Sequence, residues 1–265
     1  MDLVEQRLWR DIWGSTDPAI AAARGVEARS FGPIQVTAIR DLPDSRWLNL
    51  VLGAATPDAV GDGHLEAAIA WADSLGVSYY VPVTPAVAGA AAAEEWLRAN
   101  GFEHGYGWMK FKRPGGTVLE NADLPRGVEI RELARGEGAD FGAIVASGFG
   151  LPDWAAALFD RLPGHQDWRC YLAEVDGEPG GCAALLIDGE MAEFGIAATL
   201  EHARGRGCQS ALLRRRIEDA EGAGCRTLFV ETGERTEDRP SASYRNILRA
   251  GFEETYVRPN WQRPD

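Results

Sequence analysis

The chain has 265 residues, 45% of them apolar and 25% charged, a composition that fits one large or two ordinary globular domains and excludes a disordered chain. Charges break up the first residues, MDLVEQRLWRDIWG, and no apolar run approaches the roughly 20 residues that span a bilayer, so a cytoplasmic protein with neither secretory signal nor membrane partner is expected. The formal net charge of −13 repels phosphate backbones and excludes the basic footprint of nucleic-acid binding; it serves solubility or favours a cationic partner such as an amine.

Residues 1–30 show helical spacing at Leu3, Leu8 and Ile12 and again at 20–23. Strands are expected at 34–39 and 47–52. A helix over 65–75 closes at Gly76, and a strand follows over 77–83, with Pro82 marking an edge or a strand end. A helix over 93–100 closes at Gly101, and a strand covers 102–111. The proline- and glycine-bearing stretch 112–127 reads as a linker. It divides the chain into an N-terminal domain, 1–118, and a C-terminal domain, 119–265.

Beyond the linker, strands are expected at 128–133, 168–175, 181–188 and 190–199. Asp176 with Gly177, and Asp188 with Gly189, supply hairpin turns. Residues 136–158 hold one or two helices. A helix over 211–224 carries Leu213, Ile217 and Ala220 on one face. Then come a strand at 225–231, a helix at 241–250 closed by Gly251, and a strand at 252–257. The order helix–strand–helix–strand thus occurs twice, with LRANGFEHGYGW matching LRAGFEETYVRPNW, and reads as an internal repeat. The C-terminal half as a whole is a mixed sheet with helices packed on it. Its four cysteines, Cys170, Cys182, Cys208 and Cys225, lack C-x-x-C or zinc spacing; reduced thiols and no structural metal are expected.

Residues 190–213 read EMAEFGIAATLEHARGRGCQSALL. A strand runs to Leu200, a turn carries Arg204, Gly205, Arg206 and Gly207, and a helix begins at once. The first N–H groups of a helix have no intrahelical partner, and the macrodipole places positive charge there. Glycines let the backbone approach a bulky group and adopt unusual dihedrals, and the arginines add full charge. These features suit an anion; they also suit an ordinary glycine turn with solvated arginines.

The run R-G-R-G-C-Q-S-A-L-L resembles the Q/R-x-x-G-x-G/A signature of the GNAT superfamily of N-acetyltransferases, which likewise follows a strand and opens a helix. The order of elements from Val128 to Trp261 is similar to that fold as well. The resemblance implies an α/β architecture of α+β type: a GNAT-like mixed, mostly antiparallel sheet flanked by helices, with a smaller related N-terminal domain. It implies acetyl-CoA as acyl donor, no metal, and direct transfer of the acetyl group to an amine of a small molecule or peptide. A homodimer is an allowed assembly. A non-catalytic acyl-CoA sensor is the alternative, and another phosphorylated ligand for the loop is a third reading.

Residue by residue, the resemblance assigns the pyrophosphate to Arg204, Gly205, Arg206, Gly207, Cys208, Gln209 and Ser210. Ala198, Thr199 and Leu200 lie along the pantetheine arm, with the Thr199 amide polarising the thioester carbonyl. Ser243 and Asn246 face the cofactor from the second helix. Glu193 is the expected base, with Glu231 the runner-up, because an amine must shed a proton before it attacks. Tyr244 is the candidate acid, with Tyr256 another. Trp154, Trp168 and Trp261 are candidates for the walls of an acceptor cleft. Two residues depart from the family's pattern: Gln209 stands at the final G/A position, and Ile247 stands where many members carry tyrosine. In the N-terminal repeat the matching position reads G-D-G-H. Asp62 there repels a pyrophosphate, so that copy is expected to leave coenzyme A unbound.

Overall fold

The computed structural model describes residues 2–85, 87–117, 125–236 and 242–264. The expected boundary between residues 118 and 119, and Ser241 at the head of an expected helix, lie outside the described residues. The chain forms two compact units. One comprises Met1–Trp13, Pro18–Met109 and Tyr256–Asp265; the other comprises Gly14–Asp17 and Lys110–Thr255.

In the first unit the spacing of the opening residues becomes two helices, α1 (Asp2–Ser15) and α2 (Pro18–Arg24). Next, β1 (Val26–Phe31), β2 (Ile34–Ile39) and β3 (Leu50–Leu52) pair antiparallel in that order. The sequence VEARSF of β1 buries no residue fully and shows no apolar alternation, so no strand is legible there. Then follow α3 (His64–Ser74), β4 (Val81–Pro82), α4 (Ala90–Ala99) and β5 (Glu103–His104). α3 buries Leu65, Ala68, Ile69 and Ala72, and α4 buries Ala90, Ala93 and Leu97. That is the i, i+3, i+4 stripe of a helix lying on a core. β4 is shorter than the expected strand over 77–83; just before it, Tyr80 makes an isolated parallel bridge to Leu50.

The segment Asn260–Gln262 fills the place between β4 and β5. Its Trp261 is 2% exposed within the core that holds Leu65, Ile69 and Leu97 and stands edge-on to His104 at 4.2 Å. Trp261 is therefore a core residue of this unit, not a wall of an acceptor cleft. Apolar burial, which grows with ring area, claims it.

The second unit is built on one sheet. Its elements are β6 (Trp108–Pro114), β7 (Val128–Glu132), α5 (Ala139–Gly148), a 3₁₀ turn at Asp153–Leu158, β8 (Trp168–Val175), β9 (Glu178–Asp188), β10 (Met191–Phe194), β11 (Ala197–Thr199), α6 (Cys208–Gly222), β12 (Thr227–Gly233), α7 (Ala242–Arg249) and β13 (Glu253–Arg258). The strand order is β13-β6-β12-β10-β9-β8-β7, with β11 also paired to β9. β10 and β12 are parallel, whereas β7–β8, β8–β9, β9–β10 and β9–β11 are antiparallel. The architecture is thus mixed α/β, mostly antiparallel and flanked by helices, with a distinct smaller N-terminal part. α6 buries Leu212, Leu213, Ile217 and Ala220, and one cation, Arg216, beside them.

Candidate active site

The stretch over 190–199 is not one strand. Glu193 lies opposite Leu186 on β9, but Ala197 lies opposite Ala183. Four steps on one strand therefore match three on the other, which places one extra residue at Gly195 and Ile196, a β-bulge. The parallel ladder to β12 ends at Phe194 and Val230. Past that point, among the described residues, β11 pairs with β9 alone.

The open edge has a defined polarity. The Ile196 carbonyl accepts from the Ala184 N–H, and the Leu200 N–H donates to the Gly180 carbonyl. Backbone groups alternate sides along a strand, so the N–H and C=O of Ala197 and Thr199 face away from β9, into the opening. Exposure agrees. Ala197 is exposed and Ala198, Thr199 and Leu200 are half-buried, while their partners Ala183 and Cys182 are fully buried. An accessible main-chain edge inside an eight-stranded sheet is the central feature of the site.

The chain then turns through Glu201–Ala203 into α6. Gly205 and Gly207 adopt φ of 76° and 88°, a left-handed conformation that glycine enters without penalty. Gly207 caps α6 with no side-chain acceptor, and the first intrahelical bond runs from the Ala211 N–H to the Gly207 carbonyl. The amides of Cys208, Gln209 and Ser210 thus lie in the first turn, ahead of the helical ladder. Arg204 and Arg206 are exposed. Arg206 donates to Asp176 at 2.8 Å, in the β8–β9 turn. Cys208 is buried; its thiol points back to the Ala203 carbonyl, and burial raises its pKa.

Gln209 does more than replace a small residue. Its Nε2 donates to Ser243 Oγ at 2.5 Å, and Asn246 Nδ2 donates to its Oε1 at 2.8 Å. The structure therefore brings Gln209, Ser243 and Asn246 into one amide–hydroxyl network joining the start of α6 to α7. The sequence places Ser243 and Asn246 on one helical face, but the link to Gln209 is long-range and not legible there.

Residues 143–244 match the acetyltransferase (GNAT) family. Several solved structures share the fold over most of both chains. A GCN5-related N-acetyltransferase from Sphaerobacter thermophilus is 15% identical with a TM-score of 0.63, covering 88% of this chain and 78% of its own. A GCN5-related N-acetyltransferase from Kribbella flavida is 17% identical with a TM-score of 0.62, covering 96% of each. A tandem GNAT protein from the clavulanic acid biosynthesis pathway is 13% identical with a TM-score of 0.59, covering 86% and 77%. No curated protein matches the chain in sequence. This is the GNAT acetyltransferase fold. The chain carries a C-terminal GNAT domain and a second, N-terminal GNAT-like region.

Within the GNAT domain Glu193 and Tyr244 are buried and Glu231 is half-buried. Glu193 is 2% exposed, with Leu186 and Phe229 as its cross-strand neighbours. Glu231, on β12 just beyond the end of the parallel ladder, is ion-paired to Lys110, whose side chain is fully buried on β6. Tyr244 packs edge-on against Phe111 at 4.9 Å and donates its hydroxyl to Glu254 at 2.6 Å. Burial and the Glu254 carboxylate push its pKa up to about 12. Among the described residues no group of three or more His, Cys, Asp or Glu side chains is arranged to hold a metal ion. No helix among them is long and apolar enough to cross a membrane.

The GNAT-like region repeats the loop geometry but fills the opening. Gly63 caps α3 at φ 72°, as Gly207 caps α6. Here, however, the Leu65 N–H in the first turn already donates to the Ala59 carbonyl. Gly89 also lies so close to the Ala55 and Thr56 carbonyls that a Cβ on it would stand 2.5 Å from each. Ala55 and Thr56 precede α3 as Thr199 and Leu200 precede α6. The backbone edge that is open in one copy is thus covered by the chain itself in the other, and Asp62 adds a carboxylate 3.9 Å from His64.

Proposed function

We propose that the GNAT domain binds acetyl-CoA along β11 and the start of α6 and transfers its acetyl group directly to an amine of a small molecule or peptide. The observation that carries this reading is the one-residue bulge after Phe194, which opens the sheet and turns the Thr199 N–H outward beside a helix start flanked by Arg204 and Arg206. These residues fit the group. A pantetheine arm needs main-chain partners, which Thr199 and its neighbour Ala197 offer, since the main-chain groups of Ala198 and Leu200 turn to β9. A pyrophosphate suits the amides of Gly205 and of Gly207 to Ser210, the Arg206 N–H being given to the Ala203 carbonyl. Gln209, Ser243 and Asn246 form the wall toward α7.

In this reading the amine nitrogen attacks the thioester carbonyl carbon, and the carbon–sulfur bond breaks. The Thr199 N–H meets the developing oxyanion. Glu193 takes the amine proton, directly or through water. The departing thiolate takes its proton from water. Tyr244, whose hydroxyl is committed to Glu254, fixes α7 against the sheet. The acidic chain suits a cationic acceptor.

Calorimetry with acetyl-CoA tests the binding half. Absence of binding, or undiminished binding by an Arg204→Glu/Gly207→Glu variant, would sink it. Thiol release across an amine panel tests the transfer half. A second reading, a non-catalytic acyl-CoA sensor, is favoured by the burial of both Glu193 and Tyr244; it requires binding with no thiol release for any amine.

A further inference from the structure

Arg216 is a charge that neither the loop nor the strand edge accounts for. It lies on the inner face of α6 and is 1% exposed. Its Nε donates to the Leu212 carbonyl at 3.2 Å. Its Nη1 donates to the Ala184 carbonyl at 3.1 Å and to the Gly195 carbonyl at 3.3 Å. The guanidinium carbon sits 4.7 Å over the Phe194 ring. Among the described residues its partners are main-chain carbonyls and an aromatic face, with no carboxylate.

A buried cation without a counter-ion is a costly way to fill space, and an apolar side chain of similar volume would normally serve better. The position of the acceptors explains its presence. Gly195 belongs to the bulge, and Ala184 is the β9 residue whose N–H bonds Ile196 beside it. A bulge leaves backbone groups off the ladder, and a buried carbonyl without a donor is destabilising. The guanidinium reaches a carbonyl on each strand through Nη1 while Nε ties its plane to α6. Burial lowers its pKa to about 10, so it stays charged at neutral pH.

We propose that Arg216 is the positioning residue of the acyl-CoA groove. Its Nη1 fixes the carbonyls of Gly195 in the bulge and of Ala184 opposite it, and through them the direction in which the Thr199 N–H points. Arg216 itself touches no substrate. The proposal rests on the acetyl-CoA reading of the same groove.

The test uses the full chain with Arg216→Lys, which keeps the charge and loses the planar guanidinium, and Arg216→Gln, which keeps two donors and loses the charge. Thermal unfolding and circular dichroism report folding; if the neutral variant does not fold, the lysine variant carries the test. Calorimetry compares acetyl-CoA with free coenzyme A. Infrared difference spectra of bound acetyl-CoA, labelled with carbon-13 at the carbonyl, report polarisation by the Thr199 N–H. For folded Arg216→Lys the carbonyl band is expected to return toward its solution frequency. Acetyl-CoA affinity is expected to weaken about tenfold, the worth of one well-made hydrogen bond, while affinity for free coenzyme A changes less than threefold.

An unchanged band in a folded Arg216→Lys variant overturns the proposal, as does an equal loss of both ligands with the band in place. If the wild-type chain binds neither ligand, the acetyl-CoA reading itself fails, and that outcome is distinct from a failure confined to Arg216.

Discussion

Gly205 and Gly207 share a conformation but not a neighbourhood, and this yields a quantitative comparison. Both have positive φ, 76° and 88°. An alanine in the left-handed region costs about 1–2 kcal/mol, offset by roughly 0.4–1 kcal/mol because the unfolded chain loses freedom too. At Gly205 a Cβ meets nothing within 4 Å, so Gly205→Ala is expected to destabilise by only about 0–1.5 kcal/mol. At Gly207 the same atom would lie 2.4 Å from Pro125 Cγ and 2.9 Å from its Cβ. A proline ring cannot rotate away, and overlap of this kind adds about 1–3 kcal/mol. Urea unfolding of the two single variants should therefore separate them by that second amount. Pro125→Gly removes both offending atoms, so a double-mutant cycle with Gly207→Ala should recover most of the gap. Equal stabilities for the two alanine variants, or no coupling to Pro125, would refute the argument that Gly207 is required by contact as well as by dihedral.

Four further outcomes follow from the site. The exposed pair between Arg206 and Asp176 is worth at most about 1 kcal/mol, so Asp176→Asn, which tolerates the φ of 53° there, should barely change stability while tightening acetyl-CoA binding a few-fold; weaker binding in calorimetry would show that Arg206 needs Asp176 to hold it. Tyr244→Phe removes a hydroxyl hydrogen bond and should cost about 1 kcal/mol while leaving the transfer rate within about twofold, where loss of a true acid costs about 100-fold or more; a rate loss of that size would restore the phenol as the acid. The Tyr244 pKa rises from 10.0 to about 12 in the folded chain, so its contribution to stability is whole below pH 10 and fades as pH climbs toward 12; a wild-type unfolding profile over that range that matches Tyr244→Phe would contradict it. Glu193→Gln should lower transfer by about 10²–10⁴-fold with acetyl-CoA affinity intact, and retained turnover would move the base elsewhere.

Much of the fold is legible because local pattern and burial coincide. The strands over 34–39 and 168–175 match β2 and β8 residue for residue, since β2 is buried throughout and β8 is buried at all but Arg169 and Glu174. The helix over 65–75 is found one residue early, at His64–Ser74. α6 begins at Cys208, three residues before the apolar stripe suggests, because the left-handed Gly207 sets the first turn without help from side chains. The bulge is the feature that pattern hides. AEFGIAA reads as one apolar strand, and only Gly195, a glycine inside a strand, hints at an interruption. Ladder partners set the register, and those are long-range. The same limit hides the Asn260–Gln262 strand, the contact between Gln209 and α7, and the acceptors of Arg216. Arg216 itself sits on the apolar stripe of α6, where an arginine reads as a solvated neighbour until its burial is known.

The strand orders also bear on how the molecule is made. β6, the last strand of the N-terminal repeat, stands between β12 and β13, while Asn260–Gln262 stands between β4 and β5. Each of these two sheets is thus completed by a segment encoded in the opposite half of the chain. A nascent N-terminal unit must wait on the ribosome until nearly all of the second has been synthesised before its own core can close around Trp261. Pairings of such long sequence separation fold slowly, and a break in the chain between β6 and β7 would leave both fragments held by exchanged strands.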